Sequence, residues 1–489
     1  MRTSLPALTL LCLGSPAAAL QDSPFTAHSV TVEGFATPYR LLAPAKVEQG
    51  KSYPLVLFLH GAGERGDDNE QQLVHFAGAM GEDPLRAKYE CFVLAPQCPE
   101  SDRWCEVDWA AEESTPFEDV PTKPMRGAIA ALHEVLRAHP VDADRILLTG
   151  LSMGGYGAWD LATRHPEWFA AVAPVCGGGD ESQATRMAGL PISVWHGGAD
   201  GVVPPRRSRV MVEALKKVGA DVAYHELEGV RHDSWTAAYA EDGLLDWFFT
   251  QRRAADTGLD AAVRLLAELV RDDERIVFLG DSITRLGVEP GGYVDHIRKG
   301  LAVRKPQAQV IGAGIDGHRV PDLLARYQAD VIEKRATLVF VYVGINDVWH
   351  SESGKGTPID EFEAGLDELV RGLLEAKATV VLATPSVIGE APDSRLDEML
   401  DDFAQCTRRV AAQHGLVVCD LRRAFVDVLA VRNASGAKQG VLTYDGVHLS
   451  SAGNTFVAIQ AARALRQALV RTAGGRLPQA RSARPDHGK

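Results

Sequence analysis

A chain of 489 residues is too long for one ordinary hydrophobic core and reads as two or three domains. Its 46% hydrophobic and 24% charged content is that of ordinary globular protein. A formal charge of −14 argues against nucleic acid or an anionic membrane as the main partner, because both select a basic surface; neutral substrates fit better.

The first residues read as a targeting segment. Arg2 gives a short positive start, 5–14 (LPALTLLCLG) is apolar, and Ala17, Ala18 and Ala19 are small enough for cleavage. A signal peptide over 1–19 is therefore expected, and with it export to the periplasm or medium. No later stretch approaches the roughly 18 uninterrupted apolar residues of a membrane span. Six cysteines would remain after removal of Cys12, and Cys98 and Cys105, flanking a short loop, could pair. No CxxC or Cys/His cluster suggests a metal, and no cofactor is expected.

From about residue 28 short apolar runs alternate with amphipathic stretches. An opening hairpin is followed by strand candidates at 54–61, 91–97, 145–152, 170–178, 192–200 and 222–229, with helical patterns such as 125–139 and 208–219 between them. Fully apolar strands separated by helices imply a parallel sheet covered on both faces. The polar, Gly-terminated stretch 248–258 marks a boundary. The pattern then restarts with a helix at 259–270 and strands at 275–282, 309–314, 337–344, 379–386 and 416–421, closed by a helix at 455–470. The reading is an α/β unit over 28–253, a second over 259–473 that forms a complete flavodoxin-like layer, and a disordered tail over 474–489. A cut between Arg253 and Leu259 is expected to give two folded halves.

The segment 150–154 (GLSMG) matches G-x-S-x-G directly after the strand RILLT, a turn so tight that the serine's flanks must be nearly side-chain-free. An acid and a histidine should follow at later strand ends. Asp200 and His232 are in place; His225 lies inside a strand, and Asp180 and Asp221 are weaker acids. Met153 and Ala62, the latter in 59–66 (LHGAGERG), are the candidate oxyanion N–H donors. Together LFLHGAGERGDDN, GLSMGGYGAWDLA, WHGGADGVVP and HDSW resemble esterases of the α/β-hydrolase fold, more closely phospholipase/carboxylesterase-type and feruloyl-esterase-like hydrolases. The resemblance implies Ser152 as nucleophile, His232 as base then acid, and Asp200 orienting the imidazole.

A second serine follows the first strand of the second unit, in 278–284 (FLGDSIT). This resembles block I of the SGNH, or GDSL, hydrolases. The resemblance implies Ser282 as nucleophile, Gly314 and Asn346 as oxyanion donors, and Asp445 with His448, in YDGVH, as acid and base. One mismatch stands out: the family's second block usually carries an asparagine where this chain has Gly312. Asp281 and His318 read as turn-stabilising, and Trp349 either shapes a pocket or joins the core.

The combined reading is a secreted bifunctional serine esterase removing acetyl or feruloyl groups from polysaccharide. The alternatives are a lysophospholipase-like lipid or thioester hydrolase, or one catalytic unit with the other binding glycan.

Overall fold

The computed structural model describes residues 23–240, 243–253, 258–391 and 395–474. The expected leader and the tail beyond 474 lie outside the described residues. The first unit is an eight-stranded sheet of β1 (Phe25–Val32), β2 (Phe35–Leu42), β3 (Tyr53–Leu59), β4 (Phe92–Pro96), β5 (Val141–Leu151), β6 (Ala171–Val175), β7 (Ile192–Gly197) and β8 (Val222–Leu227). Its order is β1-β2-β4-β3-β5-β6-β7-β8, antiparallel in the hairpin β1-β2 and at β2-β4, parallel elsewhere. The buried strands β3, β4 and β6 carry no exposed side chain, as expected of a sheet covered on both faces, whereas edge strand β1 alternates.

The second unit is a parallel five-stranded sheet of β9 (Arg275–Gly280), β10 (Gln309–Gly314), β11 (Leu338–Tyr342), β12 (Thr379–Ala383) and β13 (Val417–Cys419) in the order β10-β9-β11-β12-β13. This is the flavodoxin-like order expected. The first unit is an α/β-hydrolase fold. In both, the strand register brings the carboxyl ends level: Leu59 pairs with Gly150 and Leu151 with Val175, while Gly314 and Tyr342 both pair with Gly280. Loops leaving those ends therefore meet at one place in each unit, where parallel α/β sheets carry their ligands.

The halves are less separate than the sequence suggests. Val431, on helix Leu421–Arg432 of the second unit, is 1% exposed and belongs to a core cluster otherwise built by the first. Arg432 Nη2 donates to Asp144 Oδ1 at 2.6 Å, and Arg463 Nη2 donates to the Arg186 carbonyl at 3.0 Å. Cleavage between Arg253 and Leu259 is expected to leave both units folded, each with a Tm lower by about 3–8 °C once Val431 and its cover reach water. Calorimetry of the cleaved and separated halves measures this.

The pairing of Cys98 with Cys105 that the short loop between them would permit is not formed. All six described cysteines are buried free thiols. Cys98 sits where its backbone N–H donates to His60 Nε2, whereas Cys105 packs with Val107, Tyr156 and Val203.

Candidate active sites

In the first unit the chain turns from β5 into helix Met153–Arg164 through Ser152, which adopts φ 52°, ψ −118°. A non-glycine residue there costs on the order of 1–3 kcal/mol, sustained only by firm surroundings. The surroundings are backbone. A Cβ on Gly154 would lie 1.9 Å from the Leu59 carbonyl oxygen, so the helix starts against β3 only because that position has no side chain. The Ser152 N–H donates to the Val175 carbonyl at 2.9 Å.

His232 arrives from the loop after β8. Its Nε2 lies 2.9 Å from Ser152 Oγ and its Nδ1 lies 2.7 Å from Asp200 Oδ2. A carboxylate accepts, so Nδ1 carries the proton and Nε2 is left to accept from the serine. Asp200 is itself held by its own turn, its Oδ1 accepting from the N–H groups of Val202 (2.8 Å) and Val203 (3.0 Å). Burial alone would raise this carboxyl, but His196, His232 and the two N–H groups outweigh it and hold it well below the usual range.

Ala62 opens the short helical turn Ala62–Glu64 after β3, and Met153 is the first residue after the serine. The loop is pinned by His60, whose Nδ1 donates to the Gly61 carbonyl (2.7 Å) while Nε2 accepts from the Cys98 N–H. Burial holds His60 down to about 4, which keeps it neutral in that double role. Of the rejected alternatives, His225 stacks on Trp195, Asp180 caps the turn Glu181–Met187, and the Asp221 carbonyl accepts from Ile192.

In the second unit Ser282 opens helix Ser282–Gly287 after β9, with Asp281 as its cap accepting from the Ile283 N–H at 3.0 Å. His448 Nε2 lies 2.9 Å from Ser282 Oγ, and its Nδ1 lies 2.7 Å from Asp445 Oδ2. Asp445 Oδ1 accepts from the N–H groups of Val447 (3.0 Å) and His448 (2.7 Å). This repeats the turn of Asp200, with acceptance from the residues two and three ahead. At Asp200 the third residue is a valine and the histidine comes from elsewhere. At Asp445 the third residue is the histidine itself, which is why D-x-x-H suffices. The same hydrogen bonds outweigh desolvation and lower the Asp445 carboxyl.

Gly314 ends β10 so close to the serine helix that a Cβ would lie 2.2 Å from the Arg285 nitrogen. Buried Asn346, after β11, donates through Nδ2 to the His318 carbonyl at 3.1 Å, which orients its amide. His318 also accepts at Nδ1 from Arg326. Gly312 has its own reason: a Cβ there would meet Val288 Cγ2 at 2.2 Å, so a valine fills the space an asparagine would need.

Three organising residues escape sequence reasoning. Arg326 donates to the carbonyls of Gly280 (2.6 Å) and Ala313 (3.0 Å), tying together the ends of β9 and β10. Glu390, 2% exposed, accepts from the N–H groups of Val441, Leu442 and Thr443 and from Thr443 Oγ1, clamping the loop that leads to Asp445. Asp347, beside Asn346, accepts from the Val320 N–H.

Asp281 and Asp347 are buried neighbours. Desolvation, with some repulsion from Asp347, pushes the Asp281 carboxyl up to about 7. An unfolded aspartate titrates near 3.9, so the folded chain binds the extra proton between about 4 and 7, and this group's contribution to stability falls as pH rises through that window. Asp281→Asn keeps the cap and removes the buried charge. It is expected to raise Tm relative to wild type more at pH 8 than at pH 5, which a thermal scan at both values checks.

Among the described residues, Cys176, Asp200 and His232 form a group of potential metal ligands, with donor atoms within 4.8 Å of one another. Both histidine nitrogens already face hydrogen-bond partners, and burial pushes the Cys176 thiol up to about 12, so coordination would require dismantling the serine–histidine–aspartate chain. No described helix is long and apolar enough to cross a membrane.

Residues 45–240 match the phospholipase/carboxylesterase family and residues 278–456 the GDSL-like lipase/acylhydrolase family. An acetylxylan esterase of Geobacillus stearothermophilus is 29% identical over 203 residues, covering 38% of this chain and 90% of that protein. A crystal structure of a thermostable esterase is 40% identical over 47% of this chain and 64% of its own, with a TM-score of 0.43. That of the acetyl xylan esterase AlAXEase is 35% identical over 38% of this chain and 97% of its own, with a TM-score of 0.38.

Proposed function

From a carboxylic ester hydrolase that fuses an α/β-hydrolase esterase with a GDSL hydrolase, we propose an enzyme with two working serine sites that deacylates polysaccharide. The observation that carries this is the pair of unbroken hydrogen-bonded chains, Asp200–His232–Ser152 and Asp445–His448–Ser282. Two unrelated loops held in one chemical arrangement are hard to explain by packing alone.

In each site the serine Oγ attacks the ester carbonyl carbon while histidine Nε2 takes its proton. The carbonyl oxygen becomes an oxyanion, the alcohol leaves with the proton from the imidazolium, and the acyl group stays on the serine. Water then repeats the steps with histidine again as base, releasing the acid and restoring the serine. The aspartate fixes Nδ1 as the protonated nitrogen. Ala62 and Met153 N–H groups receive the oxyanion in the first site. In the second, Gly314 N–H does so together with Asn346, whose primary amide keeps one hydrogen after serving His318. Asn346→Ala is expected to lower kcat/KM at the second site by about 10²–10³, measured in a Ser152→Ala background, since one donor goes and the Gly314 N–H stays.

Polysaccharide as substrate is supported by the acetylxylan esterase among the relatives and by the gain from tethering two deacylating sites near one polymer. Export follows from the apolar leader read in the sequence, and N-terminal sequencing of secreted protein should begin near Leu20 or Gln21. The test of the whole reading is a panel of acetyl, butyryl and feruloyl esters with acetylated xylan. Acid release from xylan at rates comparable with the best small ester is expected; activity confined to long-chain lipid esters would sink the polysaccharide assignment.

A further inference from the structure

Among the described Phe, Tyr and Trp side chains only two are exposed, Trp349 (37%) and Tyr444 (54%), and both flank the same histidine. The Tyr444 ring stacks on His448 at 5.9 Å and 19°, and the Trp349 ring meets it at 6.4 Å and 61°. They come from separate loops, one ending helix Ile345–Trp349 and one in the turn before Asp445. Ile315, 42% exposed, leaves β10 directly after Gly314 and adds an apolar residue at the same end of the sheet. Single exposed apolar residues need no explanation, but aromatic rings left in water beside a reacting group do.

We propose that Trp349 and Tyr444 form an open clamp for the sugar ring whose ester the second site cleaves, making that site selective for a small acyl group on a pyranose chain. This rests on the polysaccharide reading above. Sugar rings present C–H groups on their flat faces, and the negative face of an aromatic ring attracts such partly positive hydrogens while the hydroxyls stay in water. A half-exposed ring suits that ligand. A long acyl chain needs enclosure, and this rim gives little: the Asp445 side chain is itself 38% exposed, against 0% for Asp200 in the first site. The two sites thus differ in depth while sharing chemistry. Tyr444 is also held in place, its N–H donating to the His448 carbonyl at 2.9 Å, so its ring and the histidine are set by one turn.

The experiment uses the full chain carrying Ser152→Ala, so that only the second site reports. Trp349→Ala and Tyr444→Ala are assayed on acetylated xylo-oligosaccharide and on ethyl acetate, whose alcohol is too small to reach the rings. The expected result is a loss on the oligosaccharide that exceeds the loss on ethyl acetate by about tenfold and lies mainly in KM, as fits the removal of one aromatic contact. Trp349→Phe and Tyr444→Phe should keep most of the discrimination. Equal losses on both esters would mean that the rings only support the triad, and no loss on either would mean that they touch no substrate; both overturn the clamp alone. If Ser152→Ala protein cleaves ethyl acetate but no sugar ester, the substrate reading fails and the clamp with it.

Discussion

Ser152→Ala and Ser282→Ala are each expected to erase one part of an ester panel and leave the rest, and the double variant to leave essentially nothing. Each substitution removes the atom that forms the acyl-enzyme, so the affected site should lose roughly 10⁴ or more in kcat. Neither serine packs in a way that makes alanine disruptive: both are partly exposed at strand-to-helix turns, and the partner histidines keep their aspartates. His232→Ala should reproduce the Ser152 pattern and His448→Ala the Ser282 pattern. The discriminating quantity is the substrate profile rather than total rate. If Ser152→Ala alone removes every ester activity, the second unit binds or is a relic, and the two-site reading is wrong. If the two single variants show the same residual profile, the two sites overlap in specificity, and the selectivity of the second is read from Trp349→Ala and Tyr444→Ala instead.

The sequence exposes residues whose constraint is local. Ser152 is legible because Gly150 and Gly154 must stand beside it, and the structure gives the reason in the Leu59 carbonyl against which Gly154 packs. Asp445 and His448 are legible because one turn holds both. Strand positions follow from apolar runs of the right length, and Gly314 from its match to the second block of the GDSL pattern at a strand end. What stays hidden depends on partners distant in sequence. Glu390 lies in an unremarkable polar loop after β12, and nothing local shows that its carboxylate serves backbone groups some 50 residues ahead. Arg326 looks like any helical surface cation until its fork is seen spanning two strand ends. Val431 reads as ordinary apolar periodicity, yet it is buried in the other unit's core. Periodicity says that a side chain is covered, not by what.

Glu390→Gln is expected to lower kcat/KM at the second site by about 10² while leaving the first site's profile intact, and to lower the stability of the second unit by about 3 kcal/mol. The substitution is nearly isosteric, so packing is preserved and only the hydrogen-bond pattern changes. Both carboxylate oxygens accept: Oε2 from the Val441 N–H at 2.8 Å, Oε1 from Leu442, Thr443 and the Thr443 hydroxyl at 2.5–2.8 Å. A glutamine amide offers one oxygen and one NH₂ group, so whichever way it turns, a donor faces a donor in a site that water does not reach. The loop must shift to relieve this. Four residues on it becomes Asp445, whose grip on His448 fixes the distance to Ser282 Oγ, so a displacement of even an ångström strikes the proton transfer. Kinetics in the Ser152→Ala background give the rate, and thermal unfolding gives the stability. A variant with lowered Tm but normal kcat/KM would show that the loop's hold on Asp445 does not depend on Glu390. Normal values of both would mean that the carboxylate is replaceable by any acceptor, and that the clamp has no organising role.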